Sequence, residues 1–462
     1  MIIKMNEASR FLKQSYLRSR DEDHRLKILK AISTYDNKVD EMKSHQFKDW
    51  EQARLVAAEI KAYVLNNLPS LLEEFDEKIS SRGTKVLWAG NKEEAQQYFL
   101  EIARNHQAKK IVKSKSMTTE EIDFNELCQE NGLEVIESDL GELIVQLAHE
   151  KPYHIVTPAM HKSRSEISKI FQEQLGAPET DDAEKLTMIA REHLRRAYIT
   201  SEIGVTGANF IVAKEGALVM TENEGNGRLT MSCPPVHVAI VGIEKVLPRL
   251  SDLSLFLPLL ATSGTGQKIT GYNSIIRGPK QSGESDGPKK MYIILLDNGR
   301  SDLFSKEKFR SILRCIRCGA CLNACPVYRT VGGHTYHTPY QGPVGSVITP
   351  QFRGMEDWSH LAFASSLCAS CSSVCPVNIN IHELLLENRW EAHQKGKTGI
   401  GWNFGLKLWS WTMSGRSRLD LFSKIGRHVY RFLLPFMSAG KRKRIPDLPS
   451  KSFKERWLHH ES

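Results

Sequence analysis

Seven cysteines fall in two short runs, and their spacing constrains the fold of this chain more than any other feature. "CIRCGACLNACP" separates Cys315, Cys318, Cys321 and Cys325 by two, two and three residues. "CASCSSVCP" repeats that cadence with Cys368, Cys371 and Cys375, its first member missing. Four thiolates so spaced and followed by proline form the bacterial ferredoxin run, in which three sulfurs converge on one iron-sulfur cluster and the fourth reaches a second. The proline ends the loop and turns the chain away.

Matching the runs at their Cys-Pro ends sets Cys375 opposite Cys325, Cys371 opposite Cys321 and Cys368 opposite Cys318, leaving Ser365 in the place of Cys315. One 4Fe-4S cluster is therefore expected on Cys315, Cys318, Cys321 and Cys375, and a second on Cys325, Cys368 and Cys371. The second is one thiolate short. A serine alkoxide or water, a non-protein ligand, or a 3Fe-4S cluster lacking that iron would each explain the deficit, and three thiolates suit either cluster form. Structural zinc, which takes four ligands per ion, fits a four-plus-three set only where His334, His337 or His360 completes it. Paired clusters of this kind move electrons singly, and no catalytic residue is assigned.

Clustering of cysteines at ligand spacing, with only Cys128 and Cys233 standing apart as buried, inert thiols, reads as metal coordination in a reducing compartment. The start, "MIIKMNEASRFLKQ", lacks the apolar stretch of an export signal, and the most apolar runs, "LSLFLPLLA" and "FLLPFM", are far shorter than a membrane span. A cytoplasmic location is expected.

At 462 residues the chain exceeds one hydrophobic core. Residues 1–82 contain no glycine, and "ARLVAAEIKAYVLNNL" spaces apolar residues three and four apart, so this region is expected to be helical. Residues 83–300 alternate β-branched runs with helical patterns, predicting an α/β domain on a mixed or parallel sheet. "TKVLWAG", "KKIVKSKS", "LEVIES", "YHIVT", "HVAIVG" and "MYIILLD" are its strand candidates. Thr118 with Glu121, expected to open a helix through "TEEIDFNELCQEN", and Ser163 with Glu166, expected to open another, have capping-box spacing. Residues 301–397 form a mainly α-helical two-cluster domain. Residues 398–462 make a basic, aromatic tail with Trp402, Trp409, Trp411 and "KRKR" at Lys441 to Arg444, a candidate for peripheral membrane or partner contact. No nucleic-acid-binding signature accompanies the tail, so nucleic acid is not an expected partner.

In the sheet region, amides of "GANFIVAKEGALVM" are candidates to cradle a carboxylate or phosphate, with Lys113, Ser114, Lys115, His161, Lys162 and Arg164 adding positive charge at strand ends. Glu222, Asn223, Glu224 and Asn226 offer acid-base groups or a plain polar turn. The segment "GGHTYHTPYQGPVGSVITP" is expected to lie over the metal sites.

Together with the cysteine runs, "VKSKSMTTEEI", "SDLGELIVQLAHEKPYHIVTPAMHKSR" and "GVTGANFIVAKEGALVMTENEGNGRL" resemble the lactate utilization protein B family, an iron-sulfur component of a three-protein bacterial L-lactate oxidation system. The resemblance implies a sheet domain similar in fold to the sugar-phosphate isomerase and coenzyme A transferase group. It also implies two companion proteins, one of them cysteine-rich, and oxidation of L-lactate to pyruvate by the assembly. An enzyme whose sheet domain acts on an acyl or phosphorylated metabolite, with regulatory clusters, is the alternative.

Overall fold

The computed structural model describes residues 6–397, 400–438 and 453–458. One compact unit extends to Glu391, and a second begins at Ala392.

The first unit opens with four helices, Glu7–Arg20, Glu22–Gln46, Trp50–Asn66 and Leu68–Ser80. Asn6, Asp21 and Asp49 cap the first three by accepting a backbone N–H of the first turn, and Pro69 sits in the first turn of the fourth. Phe11, Ile28 and Ile32 pack into a core shared with Ile312, Leu322, Val347 and Leu385. Each such burial is worth roughly 1.5–3 kcal/mol, so the helices are fastened onto the cysteine-bearing segment.

Ten strands follow among the described residues: β1 Thr84–Ala89, β2 Lys110–Lys113, β3 Glu134–Glu137, β4 Ile203–Thr206, β5 Phe210–Val212, β6 Ala217–Glu222, β7 Val236–Gly242, β8 Val246–Leu247, β9 Tyr272–Ile276 and β10 Lys290–Leu296. Six make a parallel sheet in the order β1-β10-β7-β4-β2-β3. The other four form a small mixed sheet, β8-β5-β6-β9. Along β7, Val238 and Ile240 join the core of Phe99 and Phe124, while Ala239 and Val241 join that of Phe75 and Ile79. A strand buried on both faces reads as an unbroken apolar run, which is why "HVAIVG" and "MYIILLD" stand out in the sequence. Because the large sheet is parallel, the residues that leave β2, β3, β4 and β7 gather along its C-terminal edge.

Three expectations need correction. "YHIVT" is not a strand: His154 Nδ1 accepts the N–H groups of Val156 (3.1 Å) and Thr157 (3.3 Å), which folds the segment back on itself. Thr118 does not cap a helix with Glu121; Ser116 caps Met117–Glu121, and Glu121 turns to a distant arginine. The helix expected through "TEEIDFNELCQEN" breaks at Asp123, whose φ is +50°, and resumes at Phe124. By contrast, the capping box of Ser163 and Glu166 opens Arg164–Leu175 as its spacing predicts.

His237, on β7, is fully buried; its Nε2 lies 2.8 Å from Thr206 Oγ1 and its Nδ1 has no partner. Burial alone pulls it down to about 4. The unfolded chain binds this proton more readily, so the contribution is complete above about pH 6.5 and is lost as the pH falls towards 4, at a cost of up to about 3 kcal/mol. His237→Gln is expected to flatten the pH dependence of the urea midpoint between pH 7 and 4.5. An unchanged slope would contradict this account.

In the second unit, helices Ile400–Met413 and Arg416–Ser438 face each other. Trp411 meets Phe422 edge-on at 5.6 Å, with the Arg418 guanidinium over its ring, and Trp409 is 59% exposed. Lys441 to Arg444 and the Trp402 side chain lie outside the described residues. Among the described residues no helix is long and apolar enough to cross a membrane.

Candidate iron-sulfur site

The two cysteine loops share one backbone course. Around Cys318, Arg317 and Gly319 have φ of +61° and +82°; around Cys368, Leu367 and Ala369 have +54° and +64°. A left-handed residue other than glycine costs about 1–2 kcal/mol, and the first loop carries one and the second two. A helical turn follows in each, Ala320–Asn323 and Ser370–Ser373. Each loop then closes alike, with Cys325 N–H donating to Leu322 O and Cys375 N–H to Ser372 O, both at 3.2 Å. At the head of the first loop Arg317 N–H points to Cys315 Sγ (3.5 Å); at the head of the second Leu367 N–H points to Ser365 Oγ (3.1 Å). Ser365 thus stands in the position of Cys315, with an oxygen in place of the sulfur.

Electrostatic influence links Cys318, Cys321 and Cys375 to Cys315, and Cys325 and Cys371 to Cys368, with Cys321 also feeling Cys371. Burial raises Cys318, Cys321 and Cys375, the last up to about 11, and the neighbouring charge of Cys315 raises all three further. Cys375 also acts on Cys318 and Cys321, although it comes from the other run. Burial likewise raises Cys325, with Cys368 adding to it, and takes Cys371 up to about 11, with Cys325 and Cys368 adding. Of the seven only Cys368 is exposed, and it lies below its ordinary value, held there by the hydroxyl and N–H of Ser370 and the Ser366 hydroxyl; of the two isolated cysteines, Cys128 is buried as expected and Cys233 is exposed against expectation.

Residues far away in sequence enclose the first group. Arg54 donates from Nε to Cys375 O (2.7 Å) and from Nη2 to Ser372 O (3.0 Å), tying the third N-terminal helix to the second cysteine loop. Behind the first loop runs a buried ionic chain. Arg300 grips Glu121 through both terminal nitrogens (2.9 Å each) and Glu244 through Nε (2.5 Å), and Arg317 Nη2 lies 3.4 Å from the other Glu244 oxygen. Tyr340 donates to Glu121 (2.5 Å), and its ring lies under the Arg317 guanidinium. Lys61 donates to Glu244 O (2.5 Å) and Val246 O (3.2 Å), and burial pulls its ammonium down to about 8.

Three buried donors around the thiols have no hydrogen-bond partner: Arg314 Nε, Arg317 Nη1 and Tyr336 Oη. Leaving such groups unpaired costs about 1–3 kcal/mol each, and more when charged. Arg314 lies within electrostatic reach of Cys375, Arg317 of Cys315, and Tyr336 of Cys325 and Cys321. An inorganic core rich in sulfide would supply the missing acceptors, so seven thiols with unpaired cationic and phenolic donors fit an iron-sulfur group. The histidines that would complete zinc sites make other contacts: His334 Nε2 meets Lys151 O at 2.7 Å, His360 Nδ1 meets Asp357 O at 3.0 Å, and His337 Nε2 is buried without a partner.

A cavity of about 720 Å³ opens at the C-terminal edge of the large sheet, with Ser114, Lys115, Gly207 and Lys245 on the sheet side and Arg317 and Cys318 on the other. Glu222, Asn223, Glu224 and Asn226 also line it. The positive charge expected there is largely committed elsewhere. Lys113 is buried against Glu137 (2.8 Å) and Glu120 (3.4 Å), and His161 and Lys162 both face Glu150. Lys115 is shared between Val156 O (2.8 Å) and Asp139 (3.5 Å). Lys245 and Arg317, which sequence reasoning passed over, are cations that line the cavity beside the first cysteine loop.

Comparison with known proteins gives a consistent picture. Residues 72–296 match the LUD domain and residues 311–379 the 4Fe-4S dicluster domain. "Lactate utilization protein B" of Bacillus cytotoxicus is 43% identical over 395 residues, 85% of this chain and 82% of that protein. Its namesake from Bacillus cereus is 44% identical over 394 residues, again 85% and 82%. A solved structure, a duf162 family protein from Deinococcus radiodurans, covers 50% of this chain and 98% of its own at 11% identity and a TM-score of 0.28, too distant to carry an argument.

Proposed function

Because this chain belongs to the lactate utilization protein B family, we propose that it is the iron-sulfur electron-transfer component of a multi-protein system oxidising L-lactate to pyruvate. The observation that carries the reading is the pair of loops of one backbone course that present the seven cysteines, with Ser365 in the place of Cys315. Cys315, Cys318, Cys321 and Cys375 hold one 4Fe-4S cluster, and Cys325, Cys368 and Cys371 hold the other, with Ser365 at the open corner. When bound, these groups supply one-electron transfer.

The chain's own residues give that transfer a direction. Cys318 forms part of the cavity wall, so the first set borders the space where an organic ligand would sit. Cys321 feels the charge of Cys371 and so links the sets, while Cys368 brings the second set to the surface. Residues 83–300 provide most of the cavity, which Tyr35, Lys38, Arg317 and Cys318 complete, and 301–397 provide the sets. Two companion proteins, one cysteine-rich, complete the system, and the tail from residue 398 offers a docking or membrane-surface element.

Purified without oxygen, the chain is expected to carry about 8 iron atoms with matching sulfide, or about 7 if the second set holds a 3Fe cluster, and to give paramagnetic signals on reduction with dithionite. Zinc in place of iron would end this reading.

The cavity favours a second reading, in which the chain itself binds the metabolite. Its size falls within the roughly 300–1,000 Å³ of organic-ligand sites. Saturable turnover of L-lactate, pyruvate or a coenzyme A ester by the chain without companions would favour it.

A further inference from the structure

We propose that Arg314 and Arg317 set the reduction potential of the group held by Cys315, Cys318, Cys321 and Cys375, each directing a charged N–H at it. The inference rests on the iron-sulfur reading and adds residues that no ligand spacing identifies.

Two independent observations carry it. Arg314 Nε and Arg317 Nη1 are buried donors without partners, flanking the first ligand of the set. A guanidinium N–H cannot shed its charge, and leaving it unpaired inside a protein is costly unless an acceptor faces it. The remaining nitrogens of Arg317 do have surroundings: Nη2 reaches Glu244, and the guanidinium plane lies on the Tyr340 ring at 4.6 Å. That packing leaves the side chain 8% exposed and holds it in place. Its backbone is held too, at φ +61° between two ligands.

The second observation is the repeat. Where the first loop has Arg314 and Arg317, the second has Ala364 and Leu367 at the same spacing from the shared cysteine positions, and Leu367 has the left-handed backbone of Arg317. One loop is cationic and its copy is neutral, so the charge is not a requirement of the loop's folding. Nor does the surrounding network cancel it. The buried carboxylates Glu121 and Glu244 are set against Arg300 and Arg317, with Lys61 and Lys245 also acting on Cys315 and Arg314 on Cys375.

Reduction adds an electron to a group that already carries negative charge. Positive charge and N–H donors at the sulfurs stabilise the reduced form and raise the potential. Removing either arginine therefore lowers it.

The test is a redox titration of the full chain, reconstituted without oxygen and followed by electron paramagnetic resonance, with iron and sulfide counted in every sample. The wave missing from Cys318→Ala identifies the first set. In Arg317→Leu and Arg314→Ala, which copy the second loop, that wave is expected to fall by at least a tenfold change in its reduction equilibrium, about 59 mV for one electron. Iron content and the other wave stay unchanged, and Arg317→Lys recovers part of the shift. If Arg317→Leu loses iron, Arg314→Ala and Arg317→Lys decide the matter. A wave that stays in place in iron-replete variants, or two waves that move together, would overturn the inference while leaving the iron-sulfur reading intact. A chain showing no wave at all would remove that reading itself.

Discussion

Cys375→Ala and Cys318→Ala are expected to abolish the same paramagnetic signal and the same roughly 4 iron atoms, while Cys371→Ala and Cys325→Ala abolish the other signal. The pairing runs against sequence proximity. Cys375 follows Cys371 by four positions, yet its thiol shares the environment of Cys315, Cys318 and Cys321, and Arg54 fixes its carbonyl from the N-terminal helices. The expected crossing follows from the ferredoxin pattern, in which three positions of a run serve one site and the fourth, before proline, serves the neighbouring one. The measurement is spectroscopy with iron analysis on the four variants purified alike. Loss of one signal by Cys375→Ala and Cys371→Ala together, with the other intact, would mean that each run holds its own group and that the crossed sets are wrong.

The same structure shows which features are readable from one sequence. Ligand spacing is local, and the cysteine loops are specified by consecutive residues, so their form and the place of Ser365 could be reasoned out directly. β7 and β10 were visible for a related reason, since burial on both faces leaves an unbroken apolar run. "YHIVT" has the same β-branched texture but is bent by the His154 side chain, and no propensity encodes that contact. Glu121 offered a capping spacing and took a partner from the far end of the sheet domain instead. Arg54, Lys61 and Lys245 gave no signal, because what each touches is set by tertiary packing. Arg317 was in plain view between two ligands; only the structure gave its direction.

Replacing Arg300 by methionine is expected to cost about 3–5 kcal/mol, the usual consequence of removing one partner from a buried ionic group. Arg300 is 1% exposed, and its loss would strand Glu121 and Glu244, which are almost as deeply buried. Glu121 would keep Tyr340 and Asn298, and Glu244 only the longer contact with Arg317. The pH dependence should change sign with the stability. In the native chain burial pushes Glu244 up, but Arg300 and Arg317 override it and hold the carboxyl down at about 2. Its contribution is therefore complete above about pH 4.5 and is lost as the pH falls towards 2. Without Arg300, burial governs and the carboxylates favour their protonated forms, so the variant should gain stability as the pH is lowered from 7 towards 5. Urea midpoints at pH 7 and pH 5.5, measured without oxygen on iron-replete samples, read both effects. Arg300→Met combined with Glu121→Gln and Glu244→Gln should recover much of the loss, since neutral groups of similar shape do not need the cation. If the single variant matches the native midpoint, the ionic chain does not hold the cysteine loop to the sheet; if the triple variant is no better than the single, the loss comes from packing and not from stranded charge.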